Sequence, residues 1–250
     1  MILQDDKLVA DVMFIADLHL HPQQPKITTK FLHFCEFAKS NTKELYILGD
    51  FIHAWPGDDA IDEWSKLIIK TLAELVDSGV KVYFMAGNRD FLLGKCFLRQ
   101  AKVKYLPDPS VISLGGKRVL LTHGDRYCTK DKAHQRWRLF TRNKLFKLIF
   151  LRVPYKYRFR MVNKVRQYST SWRSSKPHKD MLTVPEAILK HLRKYNLSTV
   201  IHGHTHLPGL TEHKSHAGIF LQYVLSDWDA EPLIMCYNCT NKFYYSLFAE

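Results

Sequence analysis

Five short apolar runs in this chain each end on side chains able to hold a cation. They are VMFIAD (12–17), LYILGD (45–50), VYFMAGN (82–88), VLLTHGD (119–125) and TVIHGHTH (199–206). Short apolar runs cut off by turn residues have the pattern of buried strands. Amphipathic stretches of helical length lie between the first three, around residues 31–39 and 61–77, and DSGVKVYF supplies a helix stop followed by a strand start. Alternating strand and helix predicts an α/β fold, with ligands bound beyond the carboxyl ends of the strands. Late strands near residues 219–226, 233–237 and 242–248 are expected to complete a second sheet.

The 250 residues, 46% hydrophobic, suffice for one large core or two small ones. The polar opening, Met1 to Asp11, does not read as a signal peptide, and no run approaches the ~18 apolar residues of a membrane span. Five cysteines, an odd number, are expected as reduced cytoplasmic thiols; Cys236 and Cys239 form a C-x-x-C with no second pair to complete a zinc site. The net charge of +13 is concentrated. Residues 126–180 carry seventeen Lys and Arg against two acids, Asp131 and Asp180, leaving −2 for the rest of the chain. Such a block seeks polyanions. It reads as one or two helices broken at Pro154, with large apolar residues such as Leu145, Phe146, Leu148 and Ile149 among the charges. At least half of those charges are expected simply to solvate helix faces.

The strand ends collect Asp17, His19, Asp50, Asn88, His123, His204 and His206. Two carboxylates, one amide oxygen and four imidazoles suit two borderline divalent cations. A carboxylate between two metals can bridge them. Glycines 49, 87, 124 and 203 let the backbone turn beside the ligands. Each fragment alone is weak, since a lone D-x-H is usually surface and a lone Gly-Asp usually a turn. Five in order, at five predicted strand ends, point to a site.

The order D-x-H, G-D, G-N, H-G-D, G-H-x-H resembles the calcineurin-like metallophosphoesterases. The resemblance implies a four-layer α-β-β-α sandwich with a dinuclear centre. Asp17, His19 and His206 would hold one metal and Asn88, His123 and His204 the other, with Asp50 bridging. His202 would be buried support.

Arg89 follows Asn88 where many members of that superfamily carry a histidine taken as the general acid. A guanidinium cannot deliver a proton, but it can clamp a phosphate. The leaving group should then need little protonation; a phosphate, with a second pKa of about 6, fits. The longer strings FIADLHL, LYILGDFIHAWPGDD and GNRDFLLG are similar to the UDP-2,3-diacylglucosamine diphosphatases of the lipid A pathway. That resemblance implies water attack on the α-phosphorus of UDP-2,3-diacylglucosamine, giving UMP and 2,3-diacylglucosamine 1-phosphate, usually with manganese. Asn88, Arg89 and His204 would act catalytically and touch substrate. Asp131, Ser169, Arg173 and Lys176 fall on further substrate-contacting positions, although Arg173 stands where relatives commonly have Asn. His53 replaces a commonly acidic residue and receives no metal role. Residues 1–125 and 181–250 would form the core, and 126–180 a basic helical lid over the acyl chains. A cytoplasmic protein held peripherally on the anionic inner membrane is expected, with no nucleic acid bound and no protein partner identified. The competing readings are another phosphoesterase of this fold, a nuclease or nucleotide pyrophosphatase, and a non-catalytic polyanion- or membrane-binding module.

Overall fold

The computed structural model describes residues 10–175, 181–216, 218–238, 240 and 242–248, with side chains to residue 168 in the first stretch. Strands β1 (Ala10–Ile15), β2 (Thr42–Leu48), β3 (Lys81–Met85) and the short β4 (Lys104–Tyr105) run parallel. A second sheet holds β5 (Ser110–Leu114), β6 (Lys117–Thr122), β7 (Thr199–His202), β8 (Gly209–Ser215) and β9 (Gly218–Val224) in the order β5-β6-β7-β9-β8. The remaining strands, β10 (Leu233–Tyr237) and β11 (Phe243–Leu247), lie in the first sheet, which reads β11-β10-β1-β2-β3-β4.

That placement corrects one expectation. Of the late strands only β9 and its hairpin partner β8 complete the second sheet; β10 pairs antiparallel with β1, Val12 opposite Tyr237. The reason lies in two-sided burial. Ile234 and Cys236 face the helices while Met235 and Tyr237 face the other sheet, a pattern that suits a strand of either sheet.

Helices α1 (Pro25–Asn41), α2 (Glu63–Asp77) and α3 (Lys95–Gln100) cover the first sheet, and α7 (Pro185–Tyr195) covers the second. The period-2 alternation of the strands builds the layers. Met13, Ile15, Leu45 and Ile47 pack with Phe31, Phe34 and Leu72 of the helices. Phe14, Tyr46 and Leu48 point the other way, onto Leu121, Ile201 and Tyr223 of the second sheet. Leu120 and Val200 in turn meet Ile188 and Leu192 of α7. This is the expected α-β-β-α sandwich. Each fully buried Phe or Leu contributes roughly 1.5–3 kcal/mol.

Local signals set the helix ends. Pro25 opens α1 at its first turn, two residues before Ile27 starts the buried face. Asp62 caps α2 by accepting from the Ser65 backbone N–H at 2.8 Å, and Gly79, at φ +105°, turns the chain into β3.

Helices α4 (Lys132–Thr141), α5 (Lys144–Phe150) and α6 (Tyr155–Ser175) stand between β6 and α7 in the chain. Of the fourteen Lys and Arg between residues 126 and 168, eight are exposed. Others fasten the helices to the core. Arg142 donates to the carbonyls of Ala86 and Gly87 at 3.1 and 3.0 Å, Lys147 to that of Phe91 at 2.8 Å, and Arg138 to Asp125 at 3.1 Å. Arg158, buried, donates to Pro56 O, Val153 O and Asp59.

Candidate metal centre

The carboxyl ends of β1, β2, β3, β6 and β7 meet at one edge of the sandwich. Backbone hydrogen bonds stitch them: Asp17 N–H to Gly49 O at 3.0 Å, His19 N–H to Asp50 O at 2.9 Å, and Gly203 N–H to His123 O at 3.0 Å. The His204 N–H donates to Asp17 Oδ2 at 2.6 Å, joining the two sheets. The ligands themselves make the turns. Asp17, His19, Asp50, His204 and His206 all have φ between +51° and +72°, a left-handed region that costs a non-glycine residue energy and persists where packing over-determines it. Two glycines serve close approach: a Cβ on Gly87 would collide with Asp50, and one on Gly203 with Asp17.

Two clusters result. Asp17, His19 and His206 form one, and Asp50, His123 and His204 the other, each offering ligand atoms within 4.8 Å of one another. Asn88 joins the second through Oδ1, 2.9 Å from His123 Nε2. The first cluster fits a cation. Asp17 Oδ1 and His19 Nδ1 are buried without a hydrogen bond, and the Nε2 atoms of His19 and His206 face each other at 3.4 Å. An unpaired buried carboxylate oxygen is costly, and a cation shared with the two Nε2 atoms would satisfy Asp17 Oδ1.

The electrostatics agree. Burial alone would raise the Asp50 carboxyl, but His123, His19 and Arg89 hold it well below the usual carboxylate range. Burial, then Arg89, pushes His19 well below the usual imidazole value; burial, then His123, does the same to His204, so both keep lone pairs for a metal. His206 goes the other way. Burial opposes its charge, but Asp17 and Asp227 outweigh it and raise the pKa to about 9.

Arg89 enters the same space, its Nε 3.3 Å from Asp50 Oδ2. Asp131 caps α4 by accepting from the His134 N–H at 3.0 Å and lines the cavity beside the clusters. Ser169 and Arg173 lie on α6 beyond the described side chains, and Lys176 lies outside the described residues, as does Cys239 of the C-x-x-C. Cys236 is buried in β10, its thiol pushed up to about 12 by that burial. His202 is buried support: Nδ1 lies 2.7 Å from Gly203 O and Nε2 2.8 Å from the Gln222 amide nitrogen.

Several residues went unread in the sequence. Asp227 holds His206 Nδ1 at 3.0 Å. Asp90, the last letter of GNRD, accepts from Gly87 and Phe51 N–H at 2.7 and 2.8 Å and ties two ligand loops together; burial, then Asp50, raises it to about 6. Asp125, the last letter of THGD, anchors Arg138. His134 packs on His204 with centroids 5.4 Å apart, and Arg166 donates to Asn88 O at 3.4 Å. For Asp90 and Asp125 a signal existed, since each stands at the end of a motif already singled out.

The arrangement of the five strand-end loops extends to a family model. Residues 10–208 match the calcineurin-like phosphoesterase model. The chain belongs to the calcineurin-like phosphoesterases. Among curated members it is 40% identical to a UDP-2,3-diacylglucosamine hydrolase of Pseudomonas aeruginosa, over 88% of this chain and 92% of the relative. The protein of the same description from Pseudomonas fluorescens is 39% identical over 88% and 89%. The solved structure of an archaeal phosphodiesterase is similar at 14% identity and a TM-score of 0.48, covering 95% of this chain and 99% of that one. The chain presents two ligand clusters, as a two-metal hydrolase requires.

Proposed function

We propose that this phosphoesterase cleaves the pyrophosphate of UDP-2,3-diacylglucosamine by attack of water on the α-phosphorus, releasing UMP and 2,3-diacylglucosamine 1-phosphate. One observation carries the reading. A single cavity of about 1120 Å³ is lined at one end by Asp50, Asn88, Arg89, His204 and His206, and along its length by Trp137, Phe140, Phe146, Phe150, Val162 and Val165. Phosphate chemistry and an apolar slot share one space, which suits a substrate with a pyrophosphate head and fatty tails. The identity to the Pseudomonas hydrolases, spread over almost their whole length, supports the same substrate.

In this reading Asp17, His19 and His206 would hold one divalent cation and Asn88, His123 and His204 the other, with Asp50 as the shared ligand. The cations, manganese by family resemblance, supply Lewis acidity and water activation when bound. Arg89, Asn88 and His204 stabilise charge on the phosphoryl oxygens. Arg89 stays charged and gives up no proton, so the departing group leaves as a phosphate. Asp131 would lie near the glucosamine, and Ser169, Arg173 and Lys176 fall on further substrate-contacting positions. Residues 126–180 act as the lid, with 1–125 and 181–250 as the core.

The lid also suits a membrane surface. Among the described residues, thirteen of the twenty-one exposed large hydrophobics fall between residues 137 and 168, the segment that carries most of the exposed basic side chains of the lid. Apolar tips ringed by cations bind anionic bilayers. No helix among the described residues is long and apolar enough to cross one. We place the protein on the cytoplasmic face of the inner membrane.

Hydrolysis of UDP-2,3-diacylglucosamine in ¹⁸O-water by manganese-loaded protein tests the reaction. The label is expected in UMP, and Asp50→Ala is expected to abolish turnover. Label in the lipid phosphate, or near-normal activity of that variant, refutes the assignment.

A further inference from the structure

Arg89 reaches the cavity between two neighbours, an ion-pair partner and a hydrogen-bond partner. Nε lies 3.3 Å from Asp50 Oδ2, and a terminal nitrogen lies 3.2 Å from His53 Nδ1. The side chain is only 18% exposed, so the direction of its fork is set by these neighbours. His53 is itself fixed. Its backbone N–H donates to Leu20 O at 3.0 Å, and its ring packs edge-on against His21 with centroids 5.2 Å apart.

Every guanidinium nitrogen is a donor and none accepts. The nitrogen of His53 facing Arg89 therefore carries the lone pair, and the ring is the neutral tautomer with hydrogen on Nε2. Asp50 belongs to one of the two candidate metal clusters, whereas His53 belongs to neither. We propose that His53 is a positioning residue for the phosphate clamp, an uncharged acceptor that aims the Arg89 guanidinium at the pyrophosphate without neutralising it. A carboxylate at this place would hold the fork equally well but would offset the charge the substrate meets.

The inference rests on the role given to Arg89 above, and a double-mutant cycle tests it with two readouts. His53→Ala, His53→Gln, Arg89→Ala and the His53→Ala/Arg89→Ala pair are prepared in manganese-loaded form. One readout is kcat/KM for UDP-2,3-diacylglucosamine; the other is the Kd for inorganic phosphate, which needs no turnover. His53→Ala is expected to lose about tenfold in both, and less than about twofold once Arg89 is Ala, because contacting residues couple. His53→Gln, whose amide oxygen accepts, is expected to recover to within about threefold. His53→Glu is expected to bind phosphate more weakly than His53→Gln. Equal losses with and without Arg89, loss of bound metal in His53→Ala, or tighter phosphate binding by His53→Glu overturns the proposal. Coupling on phosphate in a protein that leaves the lipid nucleotide intact would instead remove the substrate assignment and keep the positioning role.

Discussion

His206 and Asp227 form a carboxylate–imidazole pair, with Nδ1 3.0 Å from a carboxylate oxygen and Nε2 turned toward Asp17 at 3.6 Å. The pair fixes which nitrogen of His206 is offered to a cation and raises its basicity. Asp227→Ala should therefore weaken manganese binding roughly 10–100-fold, read by calorimetric titration of metal-free protein. Unchanged affinity would remove Asp227 from the site.

The same pair sets a pH dependence. In the metal-free protein His206 has a pKa of about 9, so it is protonated at neutral pH. A metal takes the neutral imidazole and must displace that proton. Apparent affinity should rise with pH up to about 9, by close to tenfold per unit from this group, and binding at pH 7.5 should release a proton. For stability without metal the sign is opposite. The raised pKa contributes stability that is fully present below the unfolded value of about 6.5 and lost as pH rises through about 9. Titrations in buffers of different ionisation enthalpy check the first part, and urea unfolding across that window checks the second.

Gly87→Ala should be damaging although the change is one methyl group. The new Cβ would meet the Asp50 backbone nitrogen and carboxylate. Moving the Asp50 carboxylate should lower turnover more than about 100-fold, and forced overpacking should cost roughly 1–3 kcal/mol. Steady-state kinetics and urea unfolding separate the two.

How far could the site be read before the structure? The seven strand-end side chains that gather at one edge were legible because each strand is a short apolar run and each run stops on a side chain able to hold a metal. The left-handed backbone at Asp17, His19, Asp50, His204 and His206 was not, because glycine is the usual sign of such a turn and these are ligands. Asp227 follows β9 in a loop with no motif, so its approach to His206 is purely tertiary. The sheet assignment of β10 and β11 failed because a strand apolar on both faces does not name its partners. The short β4 and the half-exposed β5 carry too little apolar pattern to be seen.

The outer face of α5 should act separately from the cavity. Phe146 and Phe150 line the slot, whereas Leu145, Leu148 and Ile149 are exposed and stand outside its lining. Changing those three to Ser should lower partitioning onto phosphatidylglycerol vesicles at least about tenfold, given ~0.8 kcal/mol per buried methylene. Turnover of detergent-dispersed substrate should stay within about twofold. Equal loss in both assays would assign these side chains to substrate rather than to the bilayer.

The account depends on two cations held side by side by the loops of five strands, with Asp50 between them. Electron paramagnetic resonance during titration of the metal-free protein with manganese measures this directly. Two ions per chain with an exchange-coupled spectrum are predicted, with the coupling lost in Asp50→Ala. Binding of one ion, or of two magnetically independent ions in the unaltered protein, would contradict it.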